Sequence, residues 1–379
     1  MSSQRDLRLD FFRGISLFMI FLDHIPDNFL AHFTLHSVGF NDAAEVFIFI
    51  SGYTAAEVYG RAIDHNGFWV ACAQIYRRIW QLYVAHLTLF MIYMAEVSFT
   101  LSRINNPFLK QDLRVGSFLT EPHMAIVKAL ILEFQPVFLD ILPLYISLLA
   151  LFPFFLWLVR KSYLWAMLVS LAIYIVANVT QIDLPAYPEG NRWFFDPLAW
   201  QLLFGFGAAC GIAAMRGQEI VPERHWIRET CVTVAIICAF IRLSWEFHAI
   251  WPSIPAILNV TIWPWVDKTV LAPLRLVNFV AMAMLAAHWV TPKSSILTHG
   301  WAKRIIVCGQ NSLYVFAFSI LLSTMCRMVQ LEFHPPIYAQ VLYDILGFLL
   351  MLGLGELLMW YDQATHHAKP IHVVAEAKP

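Results

Sequence analysis

The chain has 379 residues, 59% of them hydrophobic and only 13% charged, against about 25% charged in a typical soluble domain. That composition, with 15% aromatic residues and a mean hydropathy of +0.63, excludes both a soluble multidomain enzyme and a disordered chain. A formal net charge of -1 without any Lys/Arg cluster excludes a nucleic-acid-binding face, which leaves a polytopic membrane protein.

A spanning helix needs about 20 mostly apolar residues, and cutting the chain at its charged and Pro/Gly/Asn-rich breaks predicts an all-α bundle of about ten transmembrane helices. The spans fall at residues 9–26, 43–61, 79–101, 138–159, 162–180, 197–215, 229–245, 271–290, 308–330 and 338–361. The opening MSSQRDLRLDFFRG has Asp6 and Asp10 where a secretory leader would be basic, so the first span is expected to stay attached. That span, LDFFRGISLFMIFLDHIP, holds Asp10, Arg13, Asp23 and His24. A helix advances about 100° per residue, so the step from Arg13 to His24 returns within about 20° of the same face and rises about 16 Å. Asp10 joins that face one turn below Arg13. Such a stripe is either a polar path through the bundle, or Arg13 snorkelling to the headgroups while His24 ends the helix before Pro26.

The second span, FNDAAEVFIFISGYTAAE, carries Asp42, Glu45, Ser51, Gly52 and Glu57. Glu45 enters the membrane at the level where His24 leaves it. A carboxylate beside a histidine fixes one tautomer and makes the imidazole a better base. The piece from Pro122 to Gln135 is expected to lie along the interface as an amphipathic helix interrupted by Lys128 and Glu133.

Later segments are read against blander alternatives. Trp193, Phe194, Phe195 and Trp200 in RWFFDPLAW, with Trp263 and Trp265 in IWPWVD, could stack on sugar rings, but an interfacial aromatic belt is the expected role. His32 and His36 have i, i+4 spacing without a third ligand, so no metal site is expected. Asp140, Arg242, Arg275, Asp344 and Glu356 are expected to pair between helices, with Arg275 or Arg242 available to a substrate carboxylate. The six cysteines show no metal or redox spacing and read as small buried hydrophobes.

Placing the N-terminus inside puts 15 of the 25 basic residues in cytoplasmic segments, 7 on the other side and Arg13, Arg242 and Arg275 within spans. Both termini are therefore expected to be cytoplasmic. No loop reaches the about 50 residues of a small domain, so residues 1–362 are expected to form one integral-membrane domain, followed by a polar cytoplasmic tail at 363–379.

The spacing R-x10-H at Arg13 and His24, followed by FIFISGY at Phe47 to Tyr53, resembles the signature of the membrane-bound acyltransferase-3 superfamily. DILPLY at Asp140 to Tyr145, PLAWQLLFGFG at Pro197 to Gly207 and GQNSLYVF at Gly309 to Phe316 resemble its OpgC branch, and the resemblance spans roughly the first 320 residues. Two positions depart from the pattern. Glu45 stands where many members have aspartate, and YRRIWQLY has Gln81 in place of a proline, so Arg78 carries over better than Arg77.

The resemblance implies a bacterial inner-membrane enzyme that succinylates an osmoregulated periplasmic glucan from an acyl-CoA donor, with no permanently bound cofactor. Acyl transfer to a sugar hydroxyl needs a base, because an alcohol is a poor nucleophile at neutral pH. His24 is the expected base. Glu45 is its expected orienting partner, since Asp23 points about 100° away on the helix, and Arg13 would steer the donor arm toward His24. Asp10, Asp23, Ser51, Arg78 and Asn311 are the candidate substrate contacts, with Ser51, the Gly52 backbone and Asn311 as oxyanion donors. Arg224, Arg228, Lys303 and Arg304 are further candidates for donor phosphates, although topology accounts for most such cations. Two other classes remain open: a proton-coupled transporter using the same polar stripe, and a non-catalytic subunit of a polysaccharide-export complex.

Overall fold

The computed structural model describes residues 6–104, 106–218, 220 and 224–367. Local signals set the helix starts. Asp6 caps α1 (Leu7–Asp23), its carboxylate accepting from the Arg8 amide at 3.0 Å. After Pro26 the chain makes a 3-10 turn at Phe29–Phe33, capped by Asn28, then a short α2 (Leu35–Val38). Asp42 and Glu45 form a capping box at α3 (Ala43–Asn66): Asp42 accepts from the Ala44 amide at 2.8 Å, and Glu45 from the Asp42 amide at 2.9 Å. Gly67, at φ 85°, then reverses the chain into α4 (Phe68–Leu101).

Two short helices, α5 (Pro107–Asp112) and α6 (Gly116–Thr120), precede α7 (Pro122–Leu130), which starts where the interfacial helix is expected and stops five residues short of Gln135, closed by a 2.7 Å Lys128–Glu133 ion pair. Beyond them lie α8 (Ile141–Lys161), α9 (Tyr163–Thr180) and a two-residue antiparallel ribbon of β1 (Pro185–Ala186) and β2 (Asn191–Arg192). The chain continues through α10 (Pro197–Met215), α11 (His225–Ile250), α12 (Asn259–Ile262), α13 (Pro273–Trp289), α14 (Gly300–Gln310), α15 (Ser312–Phe333) and α16 (Ile337–His367). Proline opens α5, α7, α10 and α13, where its missing N–H costs nothing.

The fold is thus all-helical apart from the ribbon, and α4, α8, α9, α10, α11, α15 and α16 are long and apolar enough to cross a membrane. This is a multi-pass membrane protein. The other three expected spans coincide with α1, α3 and α13. α1 and α13 have 17 residues each, and α3 carries Glu45, Glu57, Arg61 and Asp64. α1 and α3 pack on each other and on further helices, so Asp10 and Glu45 are buried against protein rather than lipid, while Arg61 and Asp64 stand near the α3 C-terminus with exposed side chains. The expected span at 308–330 is interrupted at Asn311, which separates the amphipathic α14 from α15. α16 continues through residues 363–367 of the expected tail, and 368–379 lie outside the described residues.

Helices meet through glycine. A Cβ on Gly207 of α10 would stand 2.2 Å from the Phe49 carbonyl oxygen of α3, and one on Gly309 of α14 would stand 1.9 Å from the Asp10 carbonyl oxygen of α1. Close backbone approach of this kind replaces the hydrophobic drive that lipid cannot supply between helices. Arg160 of α8 reaches Asp64 and the Gly60 carbonyl of α3, and Arg216 reaches the Arg160 carbonyl, so α3, α8 and α10 end together. The N-terminus of α1 lies at this same end, where Arg8 donates to the Val290 carbonyl just after α13. Charged residues at the start of α3 and α13 gather at the opposite end with His24.

Gly207→Ala and Gly309→Ala are therefore expected to destabilise the bundle by about 1–3 kcal/mol or more through overpacking against backbone. Gly353→Ala, where a Cβ meets nothing within 4 Å, should be neutral or slightly stabilising. Thermal unfolding in detergent compares the three directly.

Candidate functional site at the His24 end of the bundle

The expected stripe on α1 divides into two levels. At the lower one Arg13 donates to Thr54 Oγ1 at 2.9 Å and to the Ile50 carbonyl at 3.4 Å, and its guanidinium lies 3.9 Å from Asp10. Asp10 is buried and accepts from Gln310 at 3.4 Å. Ser51, buried one residue beyond Ile50, and Asn311, one beyond Gln310, belong to this level. Asn311 donates to the Val307 carbonyl at 3.1 Å. His24 is some 16 Å higher along α1, so the structure does not bring Ser51, Gly52 or Asn311 to it.

At the upper level the expected Glu45–His24 partnership is replaced. Arg275 of α13 takes the Glu45 carboxylate, with Nε at 2.7 Å and Nη2 at 2.6 Å, while the other Glu45 oxygen accepts from the Asp42 amide. Asp42 in turn binds Lys268 Nζ at 2.7 Å and Arg275 Nη2 at 3.2 Å. Two cations and two carboxylates thus compensate each other, and Arg275 is already occupied rather than waiting for a substrate carboxylate. Burial works against charge on Asp42, but Lys268 and Arg275 outweigh it and hold its carboxyl below the usual range. Burial opposes charge on Lys268 as well, yet Asp42 and Glu45 raise its pKa above the ordinary lysine value. Asp23 is also engaged, accepting from the Thr34 hydroxyl at 2.6 Å.

His24 itself, capping the C-terminus of α1, is half-buried, and its Nδ1 is shielded with no hydrogen-bond partner. Its ring stacks on Phe138, with centroids 3.9 Å apart and planes 23° from parallel. Arg327 of α15 donates Nη1 to the His24 carbonyl at 3.1 Å and lies 5.1 Å from the Phe138 ring centre. Its other nitrogens form a bidentate pair with Asp112 of α5, both bonds at 2.6 Å. Phe138, Arg327 and Asp112 were not anticipated. The available signal was Arg327, a charge within the apolar run expected at 308–330.

On one side of the bundle, α1, α3, α10, α11 and α13 line a half-open cavity of about 820 Å³. Arg8, Arg224, Arg228 and His288 line one end, Phe12, Met19, Phe49 and Phe279 the body, and Leu35 and Asn41 the end nearest Asp42. None of Arg13, His24, Glu45, Ser51, Arg78 or Asn311 lines it. Arg78 sits on α4 and donates to Gln81 at 3.3 Å, outside the cavity.

Several further candidates have structural partners. Trp193, Phe195 and Trp200 are buried packing groups, with Trp200 Nε1 donating to the Lys268 carbonyl, whereas Trp263 and Trp265 are exposed. His32 pairs with Glu246 at 3.0 Å, and Arg242 with Glu246 and the His36 carbonyl. Asp344 accepts from Asn28, and Glu356 lies 3.8 Å from Arg304.

Comparison with known families matches residues 5–363, nearly the whole chain, to the family described as OpgC protein. No curated protein and no solved structure matches.

Removing Arg275 leaves Glu45 buried without its cation. Arg275→Gln is expected to lower stability by about 3–5 kcal/mol, the usual cost of breaking a buried pair, with Arg275→Lys less damaging. Because the Asp42 carboxyl is held below its ordinary value, its stabilisation is fully present above about pH 4 and is lost progressively below it. Unfolding curves against pH read both effects.

Proposed function

The chain belongs to the OpgC family, and from that we propose a membrane-bound O-acyltransferase with His24 as general base. It would move a succinyl group from an acyl-CoA-type donor to hydroxyls of a periplasmic glucan. The observation that carries the assignment of the base is the His24 imidazole. It is held in place by a ring stack while Nδ1 has no partner among the described residues, and Asp23 and Glu45 are engaged by Thr34 and Arg275.

The reaction can be written on these groups. His24 takes the proton of the acceptor hydroxyl as its oxygen attacks the thioester carbonyl, giving a tetrahedral oxyanion. Collapse breaks the C–S bond, the CoA thiolate leaves with the proton returned by the imidazolium, and the acyl ester stays on the sugar. Lys268, a cation of this level held by Asp42, suits the developing negative charge. Ser51, Gly52 and Asn311, at the Arg13 level, do not take that role in this reading.

The donor is assigned to the cavity. Its mouth, where Arg224 and Arg228 stand beside the Asp6–Arg8 ion pair, suits the phosphates of CoA, and its apolar body suits an extended pantetheine and acyl arm. The far end lies at Asn41, next to the Asp42–Lys268 pair. Arg228, which lines the cavity, takes the donor contact in this reading, and Arg78, outside it, does not. Arg13, tied to Asp10 and Thr54, braces α1 against α3 beside the cavity wall and so supports the donor path indirectly. With the basic mouth cytoplasmic by the positive-inside bias, both termini are cytoplasmic and His24 faces the periplasm of a bacterial inner membrane.

His24→Ala is expected to lower acyl transfer about 10²–10⁴-fold while the purified protein keeps its monodispersity and Tm. Unchanged product formation, measured by mass spectrometry of the glucan, would remove His24 from the chemistry. Arg228→Ala is expected to raise KM for the acyl-CoA about tenfold, the loss of one charge-assisted phosphate contact, with kcat little changed.

A further inference from the structure

A histidine that acts as a base must present one nitrogen along a fixed line, and the common device is a carboxylate on the other nitrogen. Here that device is absent among the described contacts. Asp23 accepts from Thr34, Glu45 is held by Arg275, and Asp42 by Lys268 and Arg275. His24 Nδ1 has no hydrogen-bond partner among the described residues. The ring is nevertheless placed, by face contact with Phe138 at 3.9 Å.

Phe138 is itself held in an unusual way. Its φ of 73° lies in the left-handed region that a bulky residue rarely enters, in the segment between α7 and α8. Arg327 approaches its ring at 5.1 Å and donates at 3.1 Å to the backbone carbonyl of His24, so one side chain contacts both members of the stack. The two bonds to Asp112 use the remaining face of the guanidinium and fix its plane. Asp112 ends α5, a helix of the segment between α4 and α8 that was not expected to carry function.

Resting on the reading of His24 as the base, we infer that Asp112, Arg327 and Phe138 form a positioning clamp for its imidazole, replacing the usual histidine–carboxylate pair. Phe138 sets the ring plane, Arg327 fixes the backbone from which the ring hangs and braces Phe138, and Asp112 locks Arg327. None of the three takes or gives the transferred proton. A clamp of this design leaves Nδ1 unclaimed by any protein acceptor, and it transmits a change at Asp112 to the base through two intervening side chains.

The test separates the clamp from its premise. In nanodisc-embedded full-length protein, kcat and the KM for succinyl-CoA are measured for His24→Ala, Phe138→Leu, Phe138→Tyr, Arg327→Met, Arg327→Lys and Asp112→Asn, with Tm recorded for each. Phe138→Leu is expected to lower kcat about 10–100-fold, the usual effect of misplacing a catalytic group by about 1 Å, with KM for the donor within about twofold. Phe138→Tyr, which keeps the stacking face, should retain kcat within about twofold, and Arg327→Lys should recover part of what Arg327→Met loses. The clamp is overturned if Phe138→Leu keeps the wild-type kcat, or if Phe138→Tyr is as impaired as Phe138→Leu at equal Tm. Wild-type activity in His24→Ala overturns the premise instead, and is read independently of the other variants.

Discussion

Charge cannot remain uncompensated in the interior of a membrane bundle, and that constraint orders the His24 end of this protein. Asp42, Glu45, Lys268 and Arg275 form one compensated group that ties the start of α3 to the start of α13 and to the segment before it. Desolvating four ions is costly, and their mutual contacts offset that cost only when every partner is in place. The group therefore fixes the helix ends around it. Glu45 serves twice, closing the α3 capping box and receiving Arg275, so local helix geometry and long-range pairing depend on the same carboxylate.

Because the carboxylates are committed to structure, His24 is left to be oriented by packing. The result is a division of labour at one level of the bundle. Ion pairs hold the scaffold, and an aromatic stack holds the imidazole. The apolar cavity, on another face of α1, begins among arginines at the opposite end and finishes beside Asn41. In the proposed reaction that shape would take a donor with an anionic head and a thin apolar arm.

The sequence disclosed the membrane class, the helical architecture and the polar stripe of α1, since scarcity of charge makes each remaining charge conspicuous. It also placed Arg13 and His24 about three turns apart on one helix, as found. It did not disclose pairing. Glu45 was assigned to His24 because both were expected at the outer surface, but level alone does not choose among neighbours, and Arg275, 230 residues away, binds it instead. Arg327 is 303 residues from His24, and Asp112 sits in a segment whose short helices, of six and five residues, carry too few turns to show a period. Trp193 and Trp200 read as a surface belt because composition marks depth, whereas the burial of Trp193 depends on the ribbon, where it donates to the Pro185 carbonyl, and that of Trp200 on how α10 meets the segment before α13.

The central claim is that donor and acceptor enter from opposite ends of one bundle. It is tested most directly in sealed proteoliposomes of uniform orientation, with succinyl-CoA confined to one side and glucan to the other. Acylated glucan should form when the donor faces the Arg8 and Arg228 end and the acceptor faces the His24 end, and should not form when the two are exchanged. Equal product in both arrangements, or product only when both substrates share the Arg228 side, would contradict the account.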